Sequence, residues 1–279
     1  MEFIIIIEII LAGALGLILG SFATALVHRV PQNMSWAVKR SFCPSCKTAL
    51  GFFDLFPVFS WCINGGACRH CSEKISLFYP LVELVSMLAC LAVYGAYGFS
   101  VSGLFIYASV PFLLSLLLID YKYMVLPNQL VLVLFVLGVV RLLFFWGTAG
   151  YGYDSGMLYF FEYFLTAFIS GLVIWLLGAV VSRLVGRDSL GFGDVKFFVV
   201  AGLWLGLSAM PFFMVLSGFC AVVMALLWRF LKGQDVFPFG PALIGSFFMV
   251  LIYQGSTVNW GKSIILLWWK IYFLFTFFL

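Results

Sequence analysis

The chain has 279 residues, 65% of them hydrophobic and 9% charged, with a formal net charge of +4 and a mean hydropathy of +1.17. That composition excludes an ordinary soluble domain, and so mild a positive balance gives no ground for a nucleic-acid partner. Repeated apolar runs predict an all-α polytopic membrane protein of about eight transmembrane helices plus a small loop domain.

Phe3 to Val27 reads as the first span, retained because it is long for a cleaved signal and has no basic segment before it. His28-Arg29-Val30-Pro31 stops it. The loop to about Leu77 carries Arg29, Lys39, Arg40, Lys47, Arg69 and Lys74, which predicts a cytoplasmic loop and an external N-terminus. Tyr79 to Tyr97 and Val101 to Ile119 form the next two spans and return Asp120 to the cytoplasmic edge. A fourth span covers Leu126 to Trp146. The loop with Tyr151, Tyr153 and Asp154 has no Lys or Arg, as an external loop should. A fifth, Leu158 to Val181, meets Arg183 and Arg187 and so places Asp194 on the same face as Asp120. A sixth starts near Asp194 and ends before Pro211, a seventh covers Pro211 to Leu231, and an eighth begins at Phe239-Gly240-Pro241. The tail from Ile264 to Leu279, with Lys270 in its middle, reads as an interfacial helix. The expected division is 1–27 (first helix), 28–77 (loop domain) and 78–279 (transmembrane domain).

Two sets of residues carry chemistry. Cys43-Pro44-Ser45-Cys46 and Cys68-Arg69-His70-Cys71 are two CxxC pairs, the pattern of four thiolates around one structural Zn²⁺. Disulfides are the alternative, and a reducing compartment argues against them. Four cysteine ligands leave no open coordination position, so the expected role is folding of the loop. Cys62 is spare, and Cys90 and Cys220 read as packing residues. The second set is acidic. Asp120 ends Leu116-Leu117-Leu118-Ile119-Asp120, and Asp194 sits in Leu190-Gly191-Phe192-Gly193-Asp194-Val195-Lys196. Ionisable groups at hydrocarbon depth are costly and mark functional sites. The blander readings are a proton relay, a helix cap or a partner for a base. Lys122 and Lys196 lie two residues beyond an aspartate, a helical spacing that points side chains apart. The many Phe and Trp residues read as lipid contact and interface belt.

The ordered set of motifs resembles the type IV prepilin peptidases, membrane aspartic proteases with a GxGD motif. It comprises Gly20-Ser21-Phe22, Arg29 and Pro31, Ser41 to Cys46, Pro57 to Trp61, Cys68 to Cys71 and Tyr79-Pro80-Leu81-Val82-Glu83. It resumes at Asp120 with Leu126-Pro127, at Leu190 to Lys196, and at Pro238-Phe239-Gly240-Pro241. The resemblance implies a bacterial cytoplasmic-membrane endopeptidase that removes a short basic leader after a glycine from prepilin or pseudopilin substrates. Pili, secretion and DNA uptake are the contexts it opens. It maps the catalytic pair onto Asp120 and Asp194, with Gly191, Gly193, Glu83, Pro127 and Lys196 shaping the site. Many relatives also methylate the new N-terminus with S-adenosylmethionine. The chain departs from the family pattern at Thr24, Ser41, Ala67 and Asn128. Ser41 and Ala67 fall at loop positions linked with methyl transfer, so a peptidase without that activity is the nearest alternative. A proton-coupled transporter would use the two aspartates as relays but gives no reason for the cysteines. A membrane scaffold would leave the aspartates unexplained.

Overall fold

A computed structural model describes residues 2–35, 42–43, 45–49, 51, 58–148, 153–186, 191–234 and 236–256. Ser41, Tyr151, Arg187, Leu190 and the tail from Ile264 lie outside the described residues. The helices are α1 (Glu2–Arg29), α2 (Phe59–Ile63), α3 (Phe78–Tyr97), α4 (Val101–Tyr123), α5 (Asn128–Thr148), α6 (Tyr153–Val185) and α7 (Phe192–Lys232). They are followed by α8 (Gly240–Ser256). Six of them are long and apolar enough to cross a membrane, and α8 is a shorter apolar helix. No strand occurs among the described residues. Two isolated bridges, Phe42 with Ala49 and Ala67 with Lys74, brace the cysteine loop.

Local chemistry sets the helix ends. Ser100 caps α4 by accepting from the Gly103 amide at 3.1 Å. At the other end Met124 takes a left-handed conformation (φ 54°) and donates its N–H to the Asp120 carbonyl. Pro127 then opens α5, its carbonyl accepting from the Leu130 and Val131 amides at 3.1 and 3.3 Å. Gly233, at φ 64°, closes α7. Asp120 is therefore placed in the last turn of α4, four residues before the cap.

Two glycines bring α1 and α3 to backbone contact. A Cβ built on Gly16 would stand 2.5 Å from Met87 Cα, and one on Gly20 would stand 2.6 Å from Glu83 Cα. This is the four-residue spacing of small residues with which membrane helices approach closely.

The sixth and seventh expected spans are the two halves of α7. A straight helix of its 41 residues would be about 60 Å long. Yet both of its ends meet the C-terminal end of α4. Asp194, in the first turn, interacts electrostatically with Asp120, while Trp228, near the other end, makes an edge-on ring contact with Tyr121 at 5.5 Å. The chain reverses at Gly206, whose φ of 71° and ψ of 175° are non-helical. The break falls five residues before Pro211, not at it, because only glycine adopts that conformation freely. Pro111 likewise sits inside α4 without ending it. With α7 counted as two halves, the described residues hold eight apolar helical segments besides α2, in line with the expected eight.

One expectation about the aromatics needs correction. Phe197, Trp204, Phe213 and Phe247 are fully buried. Phe247 receives Phe197 edge-on at 5.4 Å and Phe213 at 6.2 Å. These rings wedge apart the two halves of α7 and α8. Their large apolar volume fills a helix junction rather than facing lipid.

Candidate active site and four-cysteine cluster

Four chain segments converge at one end of the bundle. Asp120 comes from the end of α4 and is only 5% exposed. Asp194 comes from the start of α7 and is half-buried. The two carboxyl groups are close enough to act on each other electrostatically. The start of α8 supplies the Gly240 amide, which donates to Asp120 Oδ2 at 2.7 Å. The fourth segment is the α4–α5 connection, where Leu126 packs against Gly193.

The glycines permit these approaches. A Cβ on Gly193 would stand 3.0 Å from Leu126 Cβ, and one on Gly191 would stand 3.1 Å from Asp194 Oδ2. A Cβ on Gly240 would stand 2.5 Å from Asp120 Oδ2, nearer than any real side chain settles. Lys196 is turned away from the pair. Its Nζ donates to Asn128 Oδ1 at 2.7 Å and lies over the Phe192 ring at 4.7 Å. That bond ties the start of α7 to the start of α5, beside Pro127.

Glu83 belongs to a different group. Its Oε2 accepts from the Val58 amide at 2.7 Å, and Ser21 supplies a second hydrogen bond. It thereby fastens the polar loop to α3 instead of joining the aspartates. A cavity of about 420 Å³ opens there between the loop and the ends of α1 and α3. Glu83, His28, Arg29, Trp61, Asn64 and Tyr79 are among the residues that line it. Its volume falls in the usual range for small-molecule sites, and its wall mixes aromatic rings with polar groups of both signs. Ala67 also lines it, and Ser41 lies outside the described residues.

The four loop cysteines come together as their spacing predicts. One ligand atom from each of Cys43, Cys46, Cys68 and Cys71 lies within 4.8 Å of the others. Cys43 Sγ and Cys71 Sγ are 3.9 Å apart, and all four thiols are free. Sulfurs about 2.3 Å from a tetrahedral metal stand roughly 3.8 Å from each other, so the cluster is of the size that holds one metal ion. The thiols already differ. Hydrogen bonding with the hydroxyl and backbone of Thr48 brings Cys46 down to about 6. The Glu73 amide pulls Cys71 down, but local desolvation and its three thiol neighbours, Cys68, Cys46 and Cys43, together hold it up at about 12. Four such groups cannot all ionise side by side without a cation among them.

Three residues escaped the sequence reading. Asn128 stood out only as a departure, yet it accepts from Lys196. Gly240 was recognised as part of a motif but without a role. Arg141 was not singled out, although a lone cation inside an expected span is itself a signal. Its guanidinium Nη1 donates to the Trp204 carbonyl at 3.0 Å.

Comparison with known proteins gives a consistent family picture. The family model for the Bacterial Peptidase A24 N-terminal domain matches residues 14–97. The model for the Type IV leader peptidase family matches residues 107–226. The first covers the second half of α1, the cysteine loop and α3 together, the unit held by Gly16 and Gly20. A Prepilin leader peptidase/N-methyltransferase of Neisseria gonorrhoeae is 32% identical over 280 residues, covering 90% of this chain and 93% of the relative. The protein of that name from Pectobacterium carotovorum subsp. carotovorum is 31% identical, covering 86% and 91%. The one from Bacillus subtilis (strain 168) is 31% identical, covering 88% and 94%. No solved structure matches the chain.

Proposed function

Since the chain belongs to the type IV leader peptidase family, we propose that Asp120 and Asp194 are the catalytic pair with which it cuts its substrates. The chain is a multi-pass membrane endopeptidase that removes the leader from type IV prepilin-like precursors. The observation that supports the assignment is the convergence of two carboxyl groups from separate helices, one of them buried, in an apolar bundle. Such a pair shares one proton. The ionised member takes a proton from water, whose oxygen attacks the scissile carbonyl. The protonated member donates to the carbonyl oxygen. Gly191 and Gly193 leave room for the substrate backbone, Leu126-Pro127 walls the site, and Lys196 anchors the GxGD segment through Asn128. We place the cut after the glycine that ends a basic leader. We place the site and the loop on the cytoplasmic side of a bacterial membrane, because the loop is rich in Lys and Arg.

Zn²⁺ is the metal that suits four thiolates of this spacing, and its part is to hold the loop folded. S-adenosylmethionine is the cofactor for the second activity named in the relatives, and it supplies an activated methyl group for the new N-terminal amine. The cavity beside Glu83 is the site we assign to it. Trp61 and Tyr79 offer flat faces to a nucleobase, and Glu83, His28 and Arg29 offer partners for an amino-acid group.

The test is the intact mass of a prepilin-like peptide after incubation with the purified protein and S-adenosylmethionine, beside an Asp194→Asn control. Loss of the leader only with the unaltered protein supports the catalytic pair. An added methyl group supports the second activity, and its absence assigns the chain to peptidase chemistry alone. If peptides with several different leaders all remain uncut, the peptidase assignment fails and proton transport by the pair becomes the reading to test.

A further inference from the structure

The two aspartates do not stand in equivalent surroundings, and the difference divides their labour. The Asp120 side chain lies inside the bundle and accepts the Gly240 N–H at 2.7 Å in a buried bond. That amide opens α8, so the partial positive charge of a helix N-terminus faces the same oxygen. Asp194 is half-buried in the first turn of α7 and also receives a backbone amide, that of Gly191. Gly191 is exposed, so water can take over its contact. Gly240 is buried, so water cannot take over its contact, and a side chain of any size there would strike the carboxyl group. A charge-assisted hydrogen bond in a water-excluded place outweighs the field of a helix end, which fades within one turn. The charged group found to act on Asp194 is Asp120. Lys196 is engaged with Asn128, and Lys122, exposed beyond Asp120, lies over the Tyr123 ring.

We infer that Asp120 is the ionised member of the resting pair and the base that activates water, that Asp194 carries the shared proton, and that the Gly240 amide imposes this order. This rests on the proposed catalytic role of the pair. The steps balance. Water gives a proton to Asp120 as its oxygen bonds to the scissile carbon, and Asp194 gives its proton to the carbonyl oxygen, leaving a gem-diol. Asp120 then passes its proton to the amide nitrogen as the C–N bond breaks. A gem-diol hydroxyl returns a proton to Asp194, so the carboxylic product forms and the pair is restored. Gly240 transfers no proton and acts as a positioning residue through Asp120.

Infrared difference spectra of the full chain in lipid nanodiscs near neutral pH test the order without requiring turnover. With the two bands assigned by their shifts in Asp194→Glu and Asp120→Glu, which keep both carboxyl groups and the shared proton, position 194 should carry the protonated carboxyl band and position 120 the carboxylate band. The reverse pattern overturns the inference. Should Asp120→Glu fail to fold, the Asp194→Glu spectrum decides alone, since a shifted carboxylate band there refutes the order. Gly240→Ala should lower kcat roughly tenfold to a hundredfold, the scale of one charge-assisted hydrogen bond, with KM nearly unchanged. It should also weaken the separation of the two bands. A kcat loss with both bands unmoved would reduce Gly240 to a packing residue and overturn its part. Cleavage by the unaltered chain with reversed bands would sink only this inference, whereas failure to cleave any prepilin would sink the peptidase assignment and leave the infrared result readable.

Discussion

Arg141, inside α5, donates its guanidinium Nη1 to the carbonyl of Trp204 at 3.0 Å, two residues before the chain reverses at Gly206. The same guanidinium lies over the Trp204 ring at 5.5 Å. Gln254 Nε2 donates to the next carbonyl, that of Leu205, at 3.0 Å. The last carbonyls of a helix have no partners within it, and lipid offers none. Arg141 and Gln254 therefore satisfy the open end of the half-helix whose other end carries Asp194. Arg141→Met should lower the stability of the purified protein by about 1.5–3 kcal/mol, the scale of a hydrogen bond to a charged group, and Gln254→Leu by less. Unfolding in graded denaturant in a fixed detergent measures this. Equal stability of Arg141→Met and the unaltered chain would mean that the contact contributes nothing.

Gly206 should resist substitution for two independent reasons. Its φ of 71° is one that side chains rarely adopt, and a Cβ would stand 3.0 Å from the Tyr163 ring. Gly206→Ala is expected to cost about 1–3 kcal/mol. Gly218, in the same helix, has nothing within 4 Å of a built Cβ. Gly218→Ala should therefore be neutral or slightly stabilising, which makes it the matched control in the same unfolding assay.

Asp120→Asn and Asp194→Asn should each reduce cleavage of a prepilin peptide by on the order of 10⁴-fold, as loss of one member of an interdependent catalytic set does. Lys196→Met should act differently. It breaks the bond to Asn128 without touching the pair, so a smaller loss of activity is expected. A Lys196→Met enzyme as inactive as the aspartate variants would assign that lysine to the chemistry itself.

The cysteine cluster should carry about one zinc per chain, measured by elemental analysis of the purified protein. Acidification or a strong chelator should release it, because protons compete for thiolate ligands. Loss of zinc should expose the loop to protease while the helical bundle persists. Cys68→Ser should lower the zinc content, whereas Cys62→Ser, which alters an exposed thiol outside the cluster, should not.

Gly20→Val tests the seam between the first helix and the loop domain. A side chain there would collide with the backbone at Glu83, whose carboxylate holds Val58. The expected result is weaker packing of α1 on α3 and faster proteolysis in the loop. If the cavity holds the methyl donor, methylation should fall more than cleavage, and mass analysis of the product separates the two.

Much of this protein was legible in the sequence because the governing forces are local or compositional. Hydrocarbon length sets a span near twenty apolar residues, so the helices follow from residue order alone. The two CxxC pairs announce their cluster by spacing, and Asp120 and Asp194 stand out because charge at that depth is costly. The reversal at Gly206 was harder to place, since Pro211 gives the stronger local signal while the fold needs a backbone conformation only glycine takes freely. Which apolar rings face lipid and which fill the junction around Phe247 could not be read at all, because a membrane makes both environments equally apolar. The tertiary structure alone decided that Glu83 serves the loop, that Lys196 turns to Asn128, and that Gly240 meets Asp120 across 120 residues of chain. Hydrogen bonds between distant segments depend on how helices pack, and nothing in the local order of residues encodes their partners.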